Sequence, residues 1–190
     1  MRATDKAIPN PIASLTTARL LAEAITTLHV HDLHCLLSDP QVMRTLSADG
    51  KPLSEEATRE QIEQNIDHWQ QHGFGLWVFH RKSDGVFIGR AGLKTYQIDG
   101  KDVIGLAYAV MPNYWNKGFA TEMAEASVEI GFGHLGFPEI GSWTLPINIS
   151  SQRVMEKLRF KYERDFEFTG LLHRFYRLAA GEWKGYDGAV

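Results

Sequence analysis

Apolar and polar positions along this 190-residue chain switch between a strand-like and a helix-like period, and the switches mark out its elements. Leu20 to Ala24 reads as a first strand, and Asp32 to Leu37 as a short helix halted before Pro40. Ser54 has N-cap chemistry, and Glu55 and Glu56 suit a first helical turn. Ile62, Ile66 and Trp69 then fall at i, i+4 and i+7, and Gly73 ends that helix. Strand signals follow. Leu76 to Phe79 is continuously apolar, Ser83-Asp84-Gly85 is turn chemistry, and Val86 to Leu93 is apolar again. Asp99-Gly100 marks a second hairpin, ahead of a strand from Val103 to Val110. Ala120, Met123, Ala124, Ser127, Val128 and Gly131 form a stripe of small and apolar residues, suited to a helix lying close against a sheet. Ser142 to Leu145 is another short strand. Val154, Met155 and Leu158 fit the buried face of a second helix opened by Ser150 or Ser151. Phe166 to Phe168 and Phe175 to Leu178 close the pattern as two strands around Gly170, while Trp69, Trp77 and Phe79 belong to the core.

Strand hairpins followed by strand–helix units predict an α/β (α+β) domain, a mixed sheet with helices on both faces. The domain is expected over residues 15–180, after a flexible lead-in at 1–14 with Pro9 and Pro11, and before a loose tail at 181–190. With 44% hydrophobic residues the chain suits one compact domain. A net charge of −3 leaves no electrostatic footprint for nucleic acid or an anionic membrane, so neither is an expected partner. There is no apolar signal region and no run near the roughly 18 apolar residues of a membrane span, so the expected setting is cytoplasmic. Cys35 is the single cysteine, which excludes an intramolecular disulfide. It stands four residues after His31, with His34 nearby. A metal cluster and a histidine-bearing helix surface both fit, but no second ligand pair follows at zinc spacing, so no metal is expected.

The richest chemistry lies in the run Val110-Met111-Pro112-Asn113-Tyr114-Trp115-Asn116-Lys117-Gly118-Phe119-Ala120-Thr121-Glu122. A strand ends, a glycine-punctuated turn follows, and a helix begins. The first turn of a helix leaves backbone N–H groups without partners, and its dipole places partial positive charge there. A glycine lets the main chain approach phosphates closely, so such a turn can hold a pyrophosphate, although an ordinary strand–helix turn has the same outline.

Tyr114 to Glu122 resembles the acetyl-CoA pyrophosphate loop of the GNAT acetyltransferases, in particular the branch of ribosomal-protein N-terminal (alanine/serine) acetyltransferases, where Trp-Gly-Lys-Gly-Tyr-Ala-Thr-Glu is usual. Asn148-Ile-Ser-Ser151 through Glu156-Lys-Leu-Arg-Phe160 resembles that branch's Asn-x-x-Ser…Glu-Lys-Leu-Gly-Phe signature, and Gly170-Leu-Leu-His173-Arg-Phe-Tyr176-Arg-Leu its final strand. The likeness runs from about Thr17 to Leu178. It implies a GNAT-like single domain, with a mostly antiparallel sheet of six to seven strands and a splay between two central parallel strands. The implied activity is acetyl transfer from acetyl-CoA, a co-substrate, directly to a primary amine. An N-terminal α-amine of a protein or peptide is the first expectation. A small-molecule amine (polyamine, amino acid, aminoglycoside) is the second, and a non-catalytic CoA-sensing module the third. Monomer and homodimer both stay open.

The resemblance also assigns roles. The Val110 N–H would polarise the thioester carbonyl, an oxyanion-type donor, and the main chain beside it would pair with pantetheine. Trp115, Asn116, Lys117, Gly118, Phe119, Ala120 and Thr121 would surround the pyrophosphate, largely through backbone N–H groups, and Lys117 either adds charge or is simply solvated. Asn148 would bind pantetheine from the second splayed strand, or serve as a turn or cap. Ser151 is a candidate proton donor to the departing thiolate, and equally a helix N-cap. His173 is a candidate base, and Tyr108, two residues before Val110, should share its face. The wider family's tyrosine donor is replaced by Met155. A glutamate often found on the strand before the phosphate loop is replaced by Gly105, and the glycine of Lys-Leu-Gly-Phe by Arg159.

Overall fold

The computed structural model describes residues 12–47 and 49–185. Among them an eight-stranded sheet runs in the order β1 (Ser14–Thr16), β2 (Leu20–Ala24), β3 (Leu76–Arg81), β4 (Phe87–Ile98), β5 (Lys101–Val110), β6 (Glu139–Thr144), β8 (Leu171–Ala179), β7 (Lys161–Phe168). Every neighbouring pair is antiparallel except β5 and β6. The sheet thus has one strand more than the upper expectation. The extra strand is β1, whose Ser14 was assigned to the lead-in. The Trp77 indole N–H donates to the Ile12 carbonyl at 2.9 Å, and the Ala24 N–H to that of Ala13 at 2.7 Å, which ties this segment down. At the other end Gly181 and Glu182, assigned to a loose tail, lie in a short turn, and the Trp183 indole N–H donates to Glu129.

Helices α1 (Val30–Leu37), α2 (Pro40–Leu46) and α3 (Glu55–His72) cover one face. Leu33 and Ile62 pack there on Leu76 and Val78, and Leu36 and Val42 on Ala109. Helices α4 (Phe119–Glu129) and α5 (Ile149–Lys157) cover the other. Met123, Ala124, Val128 and Met155 pack there on apolar residues of the central strands, among them Ile88, Leu93, Leu106 and Ile140. α2 replaces the stop expected before Pro40. The Asp39 carboxylate accepts the N–H groups of Gln41 and Val42, and Pro40 occupies the first turn, where its missing N–H is no loss. The hairpin turns fall as expected, with φ of 52° and 73° at Asp99 and Gly100, and of 52° and 79° at Thr169 and Gly170.

Two local features carry measurable energy. α5 ends in a Schellman turn: Phe160 N–H donates to the Met155 carbonyl and Arg159 N–H to that of Glu156. The turn needs a left-handed residue, and Arg159 supplies it at φ 66°. His68 of α3 is held between the Phe74 carbonyl, 2.8 Å from Nδ1, and the Thr95 N–H, 3.0 Å from Nε2. That pairing requires the neutral ring with its proton on Nδ1. Burial first, and then the charge of His72, push its pKa down to about 4. Burial also lowers that of His29, against the opposing pull of Glu23.

Arg159→Gly should raise stability by about 1 kcal/mol, read as a rise of a few degrees in Tm; an unchanged or lower Tm would contradict the strain at this position. Both histidines bind protons more readily unfolded than folded, so their contribution is complete above pH 6.5 and is lost as pH falls towards 4. Denaturation midpoints should drop across that window, and His68→Gln should flatten the drop.

Candidate active site

The site begins where the central ladder stops. β5 and β6 share a single registered pair, Gly105 with Gly141. The Ser142 hydroxyl adds one more tie, donating to the Leu106 carbonyl at 3.1 Å. Towards its C-terminal end β5 is bound on one side only. The Met111 N–H donates to the Ile88 carbonyl on β4, so the two-residue period turns the N–H groups of Val110 and Tyr108 towards the β6 side. The Val110 carbonyl shares that side and accepts the Trp115 indole N–H at 2.7 Å.

The loop after β5 is built for close backbone approach. Pro112 to Tyr114 form one tight turn, and Asn116 and Gly118 then both adopt left-handed φ, 59° and 78°. Gly118 is the N-cap of α4, and no side-chain cap serves the first N–H groups of that helix among the described residues. A Cβ on Gly118 would meet nothing closer than Arg19 Nη2 at 3.4 Å, so glycine is required there for its φ and for what approaches it. The side chains of Phe119 and Thr121 are buried, which leaves only their main chain to a ligand. Lys117 is exposed. Its ammonium donates to the Asn113 carbonyl at 3.0 Å and lies 5.5 Å from the Tyr114 ring centroid.

A clamp that sequence reasoning missed holds this loop. Arg19 donates to the Lys117 carbonyl at 2.9 Å and to Glu122 Oε2 at 2.6 Å, and stacks on the Phe119 ring at 4.2 Å. The Thr17 hydroxyl and the Arg19 N–H both donate to Glu122 Oε1. Burial alone would raise the Glu122 pKa, but these donors outweigh it and hold the carboxyl ionised. Glu122 was visible in the loop motif; its partners lie a hundred residues earlier, which no local pattern reveals.

At the mouth of the splay two candidates meet. The Tyr108 hydroxyl lies 2.9 Å from Ser151 Oγ and donates to the Ser151 carbonyl at 3.0 Å. Tyr108 shares the Val110 face, as its spacing implied. Burial pushes its phenol well above the ordinary range, against the pull of Ser151, so it stays protonated. Ser151 is not the helix cap. That role falls to Asn148, whose Oδ1 accepts the Ser151 N–H at 3.2 Å and which stands beyond the end of β6 rather than on it. Met155 is fully buried among core residues.

His173 lies on the sheet face opposite the Tyr108–Ser151 pair. It packs against Phe166 and Phe168, with Nδ1 2.9 Å from the Leu171 carbonyl, while Tyr176 points to the opposite face beside Tyr108. The position of Gly105 holds no space for a carboxylate, because a Cβ there would lie 2.7 Å from both Trp143 and Tyr96. His31 Nε2 lies 3.9 Å from the exposed Cys35 Sγ, but His34 instead meets Thr58, and no group of three or more potential ligands for a metal ion occurs among the described residues.

Comparison with known families decides what this arrangement belongs to. The profile described as "Acetyltransferase (GNAT) domain" matches residues 19–161. The chain belongs to the GNAT acetyltransferases. It is an N-acetyltransferase by family, and its sheet with one splayed parallel pair is the GNAT fold. YkkB of Bacillus subtilis, a protein without assigned function, is 30% identical over 129 residues, covering 68% of this chain and 73% of its own. FsC-acetyl coenzyme A-N(2)-transacetylase of Aspergillus fumigatus is 30% identical over 157 residues, 75% of this chain but only 62% of that protein. Among solved structures, RimL, a ribosomal L7/L12 alpha-N-protein acetyltransferase in complex with coenzyme A, superimposes with a TM-score of 0.71 at 16% identity, over 88% of this chain and 98% of that one. Among the described residues of this GNAT domain no helix is long and apolar enough to cross a membrane.

Proposed function

We propose that this GNAT domain transfers the acetyl group of acetyl-CoA directly to a primary amine, with the N-terminal α-amine of a protein or peptide as acceptor. The observation that carries this reading is the Tyr108–Ser151 hydroxyl pair standing at a splay whose free N–H groups lead into an uncapped, glycine-opened helix. Pantetheine pairs with the main chain at Val110 like an added strand, and the pyrophosphate sits on the N–H groups of Asn116 to Thr121. The likeness to a ribosomal-protein acetyltransferase supports the α-amine, and the likeness to an N(2)-transacetylase supports a small-molecule amine as the second reading.

The chemistry balances without a carboxylate base. A neutral amine attacks the thioester carbon. The carbonyl oxygen becomes an oxyanion facing the Val110 N–H, and the nitrogen becomes cationic and acidic. As the C–S bond breaks, the Ser151–Tyr108 pair gives a proton to the departing thiolate, and the proton lost from nitrogen passes to solvent, which returns one to the pair, leaving both hydroxyls as they began. An α-amine, with a reference pKa near ~8, has a far larger neutral fraction at pH 7 than a lysine near ~10.4.

Release of the CoA thiol above the no-amine blank, across peptides, amino acids, polyamines and aminoglycosides, tests the activity and names the acceptor class. Ser151→Ala should cut kcat by about 10²-fold with acetyl-CoA affinity unchanged; an unchanged kcat removes Ser151 from the relay. Gly118→Leu should abolish acetyl-CoA binding in a calorimetric titration, and normal affinity in that variant would overturn the phosphate-loop assignment.

A further inference from the structure

On the sheet face opposite α4 and α5, β4 presents Arg90, Lys94 and Tyr96 in a row. Their ladder partners on β5 are Ala109, Gly105 and Val103. The opening above β5 is at Ala107, which remains partly exposed in the middle of the sheet, between Gly105 under the Tyr96 and Trp143 rings and Ala109 under Leu36 and Val42. α3 roofs this space. Gln61 Oε1 accepts from Arg90 at 2.7 Å, and His68 meets the Thr95 N–H. Asn65 lies between those two contacts along the helix. It is 2% exposed, its amide N–H donates to the Gln61 carbonyl, and its Oδ1 has no partner among the described residues.

The charges here are uncompensated. Neither Arg90 nor Lys94 meets a carboxylate among the described residues. Burial, and for Lys94 the charge of Arg90, push both cations below their ordinary pKa values. Two like charges kept partly out of water with no counter-ion are costly, and a ligand that brings the counter-ion removes the cost. The pyrophosphate loop and Ser151 occupy the α4–α5 side, so this opposite face is where an amine reaches the thioester.

We propose that Arg90 and Lys94 form an anion subsite for the acceptor, so that the amine acetylated by this enzyme carries a carboxylate close to its amino group. The proposal rests on the acetyltransferase reading above and narrows its substrate class. A carboxylate bound to Arg90 and Lys94 anchors the acceptor beside the splay, and the unpartnered Asn65 Oδ1 is free to accept an N–H from it. Polyamines and aminoglycosides, being polycations, are repelled. The carboxylate has two possible sources: the α-carboxylate of a free amino acid, or an acidic side chain at the start of a peptide.

The test uses matched pairs. Free amino acids are compared with their carboxamides, and peptide amides beginning with Asp or Glu with those beginning with Asn or Gln. The charged member should be preferred by about tenfold or more in kcat/KM in one arm, which identifies the source. Lys94→Gln and Arg90→Gln should bring that ratio close to one, and Arg90→Lys should keep it. Should Arg90→Gln fail to fold for want of the Gln61 bond, Lys94→Gln carries the test alone. Titration of the corresponding N-acetyl products into CoA-saturated protein reads the same preference without turnover. Equal use of charged and neutral members in both arms, preference for spermidine, or an undiminished ratio in Lys94→Gln overturns the proposal while leaving acetyl transfer intact. Charge-selective product binding with no amine acetylated would instead uphold the subsite and reject the transferase reading.

Discussion

Buried backbone groups must be paired, and the centre of a sheet is where leaving them unpaired costs most. β5 and β6 nevertheless part after one pair. Glycine on both strands makes this possible. At Gly105 the rings of Trp143 and Tyr96, and at Gly141 the ring of Phe175, occupy the space a Cβ would take. The rings pack against backbone, and the strands diverge from that point. Ser142 substitutes a side-chain hydroxyl for one missing ladder bond. What lies beyond is a pair of strand edges inside the fold, where the Trp115 indole takes the Val110 carbonyl and no strand of the sheet pairs with the Val110 N–H on the β6 side. The glycine-opened loop after β5 and the meeting of Tyr108 with Ser151 both stand beside that opening.

Most of this was legible where chemistry is local. The glycine-punctuated turn at Gly118, the hairpins at Asp99-Gly100 and Gly170, and the strained position of Arg159 depend on a few adjacent residues, and a pattern of residue types reports them. α2 was legible in principle, since Asp39-Pro40 is an N-cap followed by a first-turn proline, but the proline read as a stop. The β1 strand was not legible, because three residues paired at a sheet edge carry no periodicity. Long-range partnerships were the main loss. Thr17 and Arg19 bind Glu122 across a hundred residues, and Gln61 binds Arg90 from another element. The face taken by His173 is another such case: its strand was legible, but the face depends on how β6 and β8 pair.

The departures from the wider family's pattern fit one another once placed in space. Met155 fills the core where a tyrosine would stand, and the hydroxyl at this end of α5 is that of Ser151, one helical turn earlier, which meets Tyr108 on β5. The Gly105 position cannot hold a carboxylate, because the Trp143 and Tyr96 rings fill it. Arg90 and Lys94 place cations on that face with no acid beside them among the described residues. The aromatic roof over Gly105 and the cations of β4 are therefore one arrangement: the rings keep an acid off this part of the sheet, and Arg90 and Lys94 are left without a carboxylate partner among the described residues.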